Sequence, residues 1–129
     1  MSTRCPCGSG EDLDGCCGAL LSGERKAGTA EALMRSRYTA FVLGDVAYLQ
    51  RTWHPTTRPR RLELDPGQEW LGLSIVGTER GSLLDSTGVV EFVAEYRAGG
   101  RRHSLHERSR FTREKGQWLY VDGTFPGEE

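Results

Sequence analysis

The chain has 129 residues, with 17 Lys and Arg against 18 Asp and Glu, a net charge of −1 and 36% apolar residues. This length supports one domain of ordinary size with its own core, plus a small appendage. The balanced charge gives no support for non-specific binding to nucleic acid or to a membrane surface, and no apolar run is long enough to span a bilayer.

The N-terminus, MSTRCPCGSG, lacks the apolar stretch of a secretory signal. The expected compartment is therefore the cytoplasm, where thiols stay reduced. All four cysteines of the chain follow at once, in CPCGSGEDLDGCCG. Cys5 and Cys7 form a Cys-x-Cys arm, and Cys16 and Cys17 form a Cys-Cys arm across a short glycine-rich loop. Two short arms that approach each other suit a tetrahedral zinc ion with all four positions taken by protein. Such a site leaves no room for a catalytic water, so the metal is expected to be a structural staple. Disulfides are an alternative, although adjacent cysteines make their geometry awkward. A redox pair is a third, although the spacing is not Cys-x-x-Cys.

A polar linker, GERKAGT, then leads into a helical pattern. Thr29 is a candidate N-cap, Glu31 falls in the first turn and Gly44 is a stop signal. Between them Ala30, Leu33, Met34, Tyr38, Phe41 and Val42 form an apolar stripe at helical spacing. Arg37 projects within the stripe and Arg35 lies at its edge, so each needs a partner or a path to water. Asp45 can cap a second short helix, VAYLQRTW, that ends before His54-Pro55. The segment TTRPRRLELDPGQ reads as a loop with room for one short strand.

Three alternating stretches come next, and WLYVDG closes the set. In GVVEFVAEYR, Val90, Phe92, Ala94 and Tyr96 share a face. In RHSLHERSRFTR, His103, Leu105, Glu107, Ser109 and Phe111 share a face, with His106, Arg108 and Arg110 opposite. Ala98-Gly99-Gly100 and Glu114-Lys115-Gly116-Gln117 are turns. The expected class is α+β, with helices packed on a curved antiparallel sheet. The expected organisation is a zinc knuckle over residues 1–23 and an α+β domain over residues 24–129.

CPCGSG followed by CCG resembles the SEC-C motif, which implies zinc bound by Cys5, Cys7, Cys16 and Cys17. In that family the intervening loop is usually lysine-rich with an aromatic residue, whereas here it carries Glu11, Asp12 and Asp14. The acidic loop predicts a basic or polar partner surface. LMRSRYTAFVLGDVAYLQRTWHP, EWLGL, ERSRF and GQWLYVDGT resemble the bacterial YchJ family. That resemblance implies a nuclear-transport-factor-2-like cone, in which helices close a curved sheet around a pocket. Many such chains carry a second SEC-C motif after the sheet; this one ends at FPGEE.

Glu107 shares the inward face and is the leading carboxylate. It is expected either to pair with Arg35 or Arg37 as a structural ion pair, or to serve as an acid or base in a pocket. His54 is a second acid–base candidate at the cone mouth, or else a helix-end residue. Tyr38, Tyr48, Trp53 and Trp70 are candidate pocket walls, with ordinary core packing as the alternative. No nucleophile elbow, phosphate loop, zinc-protease helix or dinucleotide fingerprint appears.

The favoured function is a non-enzymatic binding or adaptor protein that recognises a protein or a small molecule. The exposed sheet face is a candidate homodimer surface. The alternative is a small-molecule enzyme of isomerase, dehydratase or hydrolase type using acid–base chemistry in the cone.

Overall fold

The computed structural model describes residues 3–126; the end of FPGEE lies outside them. A short 3-10 helix (Leu13–Gly15) and three α-helices, α1 (Cys17–Leu21), α2 (Ala30–Leu43) and α3 (Val46–Arg51), precede four strands among the described residues: β1 (Glu69–Arg80), β2 (Thr87–Ala98), β3 (Arg101–Glu114) and β4 (Gln117–Thr124). The strands form one antiparallel sheet in the order β1-β2-β3-β4. The turns Gly99–Gly100 and Lys115–Gly116 have positive φ at both positions, the geometry that joins strands through a two-residue hairpin. The loop after α3 contains no strand, so the short strand expected there is absent. Instead Leu62 and Leu64 fold back onto α3, where apolar burial replaces strand pairing.

Helix α2 organises the domain. The Ala32 amide donates to Thr29 Oγ1 at 3.1 Å, and Gly44 closes the helix with a left-handed φ of 76°. Thr29→Ala is expected to cost about 1 kcal/mol of stability, measured by urea unfolding. Ala30, Leu33, Met34 and Tyr38 pack on Val90, Phe92, Ala94, Phe111 and Trp118 of the sheet. The buried face is wider and shifted from the expected stripe. Ser36, Arg37, Thr39 and Ala40 are buried as well, whereas Val42 is exposed. A second layer on the far side of the helix causes the shift: Thr39 faces the cysteine segment, and Ala40 packs with Tyr48 and Leu49 of α3.

The helix closes tightly on the sheet at one end and stands away from it at the other. At its start, a β-carbon added to Gly81 would come within 2.7 Å of the Ala30 methyl, and one added to Gly88 within 2.6 Å of Gly81 Cα. Only glycines permit this approach. Toward its end, Tyr38 and Phe41 meet Trp70, with ring centroids 5.8 and 5.9 Å away. These large rings hold helix and sheet apart, and a cavity opens between them.

Single-residue bulges curve the sheet and reset its faces. In β1 the register skips Leu71 and Val76, and in β4 it skips Val121. Each bulge exchanges the inner and outer faces of the residues beyond it. Trp118 and Tyr120 therefore point inward, yet Asp122 pairs outward with Arg110 and Gly123 lies opposite Ser109. The outer face of the sheet is a lattice of ion pairs. His106 and Arg108 meet Glu91, Arg108 also meets Glu79, and Arg102 meets Glu95. No helix among the described residues is long and apolar enough to cross a membrane.

Candidate functional site

The N-terminal segment brings the two cysteine arms together by backbone pairing: the Cys5 amide donates to Glu11 O and the Leu13 amide to Thr3 O. The sulfur atoms of Cys5, Cys7, Cys16 and Cys17 all lie within 4.8 Å of one another, and all four cysteines are free of disulfides. A tetrahedron of sulfurs around zinc has edges of about 3.8 Å, given bonds of about 2.3 Å. The Cys7–Cys16 and Cys16–Cys17 separations of 3.7 and 4.0 Å match that edge. The donor set and its spacing thus fit a four-coordinate metal ion.

The surroundings favour a thiolate at Cys7. The Ser9 hydroxyl lies 3.2 Å from Cys16 Sγ, and Thr39 Oγ1 lies 3.6 Å from Cys5 Sγ. A hydrogen bond from Cys17, helped by the Ser9 hydroxyl and amide, holds the Cys7 thiol down to about 4. The reciprocal contact and burial push Cys17 up. One thiolate sharing the protons of its neighbours is the state that a metal completes by displacing those protons.

This centre is docked on α2 and α3. Arg35 bridges Glu31 at 3.0 Å and the Cys7 carbonyl at 2.7 Å, and Arg51 donates to Leu21 O at 2.7 Å. Arg35 therefore anchors the four-cysteine segment and does not line the cavity between α2 and the sheet. Its side chain leaves α2 on the face turned away from the sheet.

The cavity between α2 and the sheet has a volume of about 330 Å³. Arg37, Tyr38, Trp53, Trp70 and Glu107 all line it. Tyr48 does not: it is buried between α2 and α3, with its hydroxyl 2.6 Å from Ser36 Oγ. The short connection after Gly44 turns α3 back against the outer side of α2, which removes Tyr48 from the cavity. His54 does not line it either. Its Nε2 is 2.7 Å from Glu114 and its Nδ1 is 2.8 Å from Thr56 Oγ1, because its amide is bound to the Tyr120 carbonyl of β4. That strand pairing turns the imidazole outward.

Glu107 is not locked to an arginine. Its Oε2 accepts from the Ser109 hydroxyl at 2.6 Å and from the Tyr120 hydroxyl at 3.3 Å. Burial, then the charge of Glu107, pushes the Tyr120 phenol up, so it remains a donor at neutral pH. Arg37 stands nearby, only 4% exposed. Its guanidinium carbon lies 5.0 Å from the Trp53 ring centroid and 4.6 Å from that of Tyr120. Its Nη1 donates to Leu49 O and Thr52 Oγ1, at 2.9 and 2.7 Å. Burial pulls Arg37 down to about 10, which still leaves it cationic at neutral pH.

Ser109, Tyr120 and Gly123 were not among the expected site residues. Ser109 was legible as the residue two beyond Glu107 on the same face, and Tyr120 from its alternation with Trp118. Gly123 was hidden by the β4 bulge. A β-carbon there would occupy the place of the Glu107 carboxylate. Gly123→Ala is thus expected to displace that carboxylate and cost about 1–3 kcal/mol. Chemical denaturation measures the cost, and loss of the Ser109 and Tyr120 contacts in a structure of the variant would show its cause.

Fold and site together define a class: an α+β cone with an internal pocket and an attached four-cysteine centre. The family model described as YchJ, middle NTF2-like domain, matches residues 29–123, and the chain belongs to this family. A UPF0225 protein of Streptomyces coelicolor is 59% identical over 121 residues, covering 94% of both chains. The solution structure of a SEC-C motif containing protein from Rhodopseudomonas palustris superposes with a TM-score of 0.83 at 38% identity, covering 95% of this chain and 98% of that one. The crystal structure of a SEC-C motif containing protein from Psychrobacter arcticus gives a TM-score of 0.75 at 27% identity, covering 97% and 84%.

Proposed function

We propose that this protein is a cytoplasmic binding protein in which a structural zinc ion on Cys5, Cys7, Cys16 and Cys17 staples the N-terminal segment to a domain that holds a small organic molecule. The observation that carries the reading is the cavity. Its volume of about 330 Å³ falls within the range of ligand pockets, and an aromatic wall converges on a few polar groups. Zinc is favoured among metals because four thiolates at tetrahedral spacing select it by softness and geometry. The acidic loop of Glu11, Asp12 and Asp14 is a candidate contact for a basic partner protein, and the outer sheet face a candidate homodimer surface.

Native against denaturing mass spectrometry tests the reading, on protein purified without added metal. The expected result is one zinc per chain and a further retained small mass. Zinc without any such mass, together with no thermal stabilisation by a fragment library, would leave the pocket without a role. A mass reduced by the hydrogens of two disulfides would remove the zinc.

A second reading, an acid–base enzyme, is favoured by the position of Glu107 on the cavity wall with no arginine in ion-pair contact. Under it, Glu107→Gln retains the bound molecule but stops its conversion. Unchanged conversion by that variant would exclude Glu107 as the base.

A further inference from the structure

Resting on the pocket reading above, we propose that the ligand is an uncharged molecule with an apolar, ring-sized body. At one end it carries a carbonyl-type acceptor beside an N–H or O–H donor, as in a carboxamide or a hydroxyketone. The cavity has two chemically different ends. One is largely apolar and aromatic, where Tyr38, Phe41, Trp70 and Leu105 form the wall; the uncharged Gln68 also lines the cavity. The other gathers Arg37, Trp53, Glu107 and Tyr120.

The polar end has unspent hydrogen-bonding capacity of both kinds. The Nε1–H of Trp53 is buried without a partner. Arg37 uses Nη1 on Leu49 O and Thr52 Oγ1 and makes no other hydrogen bond among the described residues. The Trp53 N–H is thus the buried donor without an acceptor among the described residues, and Arg37 keeps its Nε and Nη2 N–H groups uncommitted. Glu107 takes both of its hydrogen bonds at Oε2, from Ser109 and Tyr120. Its Oε1 accepts none among the described residues and can take a donor. A buried donor left in this state is costly, and a ligand offering one acceptor to the Trp53 and Arg37 N–H groups and one donor to Glu107 Oε1 engages all three.

The charges select against ionic ligands. Arg37 and Glu107 carry opposite charges at the same end and nearly cancel. A ligand carboxylate would add a second negative charge facing Glu107, and a ligand ammonium a second positive charge facing Arg37. Each would be desolvated without full compensation. A neutral head meets neither penalty.

Four probes with one common two-ring body test the inference by calorimetry on the metal-loaded full chain. They are naphthalene-2-carboxamide, its methyl ester analogue methyl 2-naphthoate, naphthalene-2-carboxylate and 2-naphthylmethylammonium. The carboxamide is expected to bind roughly tenfold or more tighter than either ion and several-fold tighter than the ester, which lacks the donor. Trp53→Phe keeps the ring but removes the free N–H. It is expected to weaken the carboxamide and the ester alike by several-fold. Glu107→Gln removes the negative charge and is expected to bring the carboxylate up by roughly tenfold.

A carboxylate or ammonium that binds tightest would overturn the ligand class and leave the pocket reading standing. Equal binding of all four would overturn the polar end as a recognition element. Failure of all four and of a fragment library would instead sink the pocket reading itself. Substitutions at Trp53 and Glu107 that leave these affinities unchanged would show that those groups do not face the ligand, and the proposal would fall.

Discussion

Removal of the metal proposed for the four-cysteine site, by chelator or by Cys7→Ser, is expected to release residues 3–23 from the body while the sheet stays folded. The N-terminal segment has little apolar core beyond the cysteines themselves and Leu13, so ligation is its main source of order. For a small isolated module that ligation is worth about 10–16 kcal/mol. The body has its own core between α2 and the sheet and does not need the metal to bury it. It will not be untouched, however. Leu20 and Leu21 cover the corner formed by Ala40, Tyr48 and Leu49, Arg51 caps the Leu21 carbonyl, and Arg35 reaches the Cys7 carbonyl. Uncovering that corner is expected to cost the body about 2–4 kcal/mol and lower its Tm by roughly 10 °C. Hydrogen exchange with and without chelator measures both effects: protection should vanish over the N-terminal segment, weaken over α3 and persist in β2 and β3. Global unfolding on chelation, seen by circular dichroism, would show that knuckle and body are one cooperative unit.

Arg37→Ala is expected to be the most damaging substitution in the body, at about 3–5 kcal/mol by urea unfolding. The change opens a cavity and leaves the Leu49 carbonyl and Thr52 with fewer partners. It also strips the cation from beside the Trp53 and Tyr120 rings and from the neighbourhood of the Glu107 carboxylate. Arg37→Lys keeps the charge but not the planar guanidinium that lies against both rings, so roughly half the loss should remain. A loss below about 1 kcal/mol for Arg37→Ala would mean that the guanidinium is barely stabilising where it sits. A residue retained at no gain in stability would then be there for the ligand, which makes the measurement informative either way.

The local signals were legible without the structure because their chemistry is short-range. Thr29, Gly44 and Asp45 act on backbone within one turn. The cysteine spacing acts within a seventeen-residue segment. The alternation in β2 and β3 put Phe92, Ala94, Leu105 and Glu107 on the inner face. What the sequence by itself determined was therefore the helix ends, the hairpins, the four-sulfur cluster and the inward carboxylate.

Tertiary structure alone decided the rest. Arg35 and Arg37 are two residues apart on one helix, yet one anchors the four-cysteine segment and the other lines the pocket, because layers pack on both sides of α2. Tyr48 was withdrawn from the cavity by the reversal at Gly44, and His54 by a backbone bond to β4. The partner of Glu107 proved to be Tyr120 with Ser109 and not an arginine, and the space for its carboxylate depends on Gly123. That glycine reaches the inner face only because one bulged residue, Val121, shifts the parity of β4. A period-two pattern cannot reveal such a shift, since the bulge arises from how the sheet must curve to close over the helix.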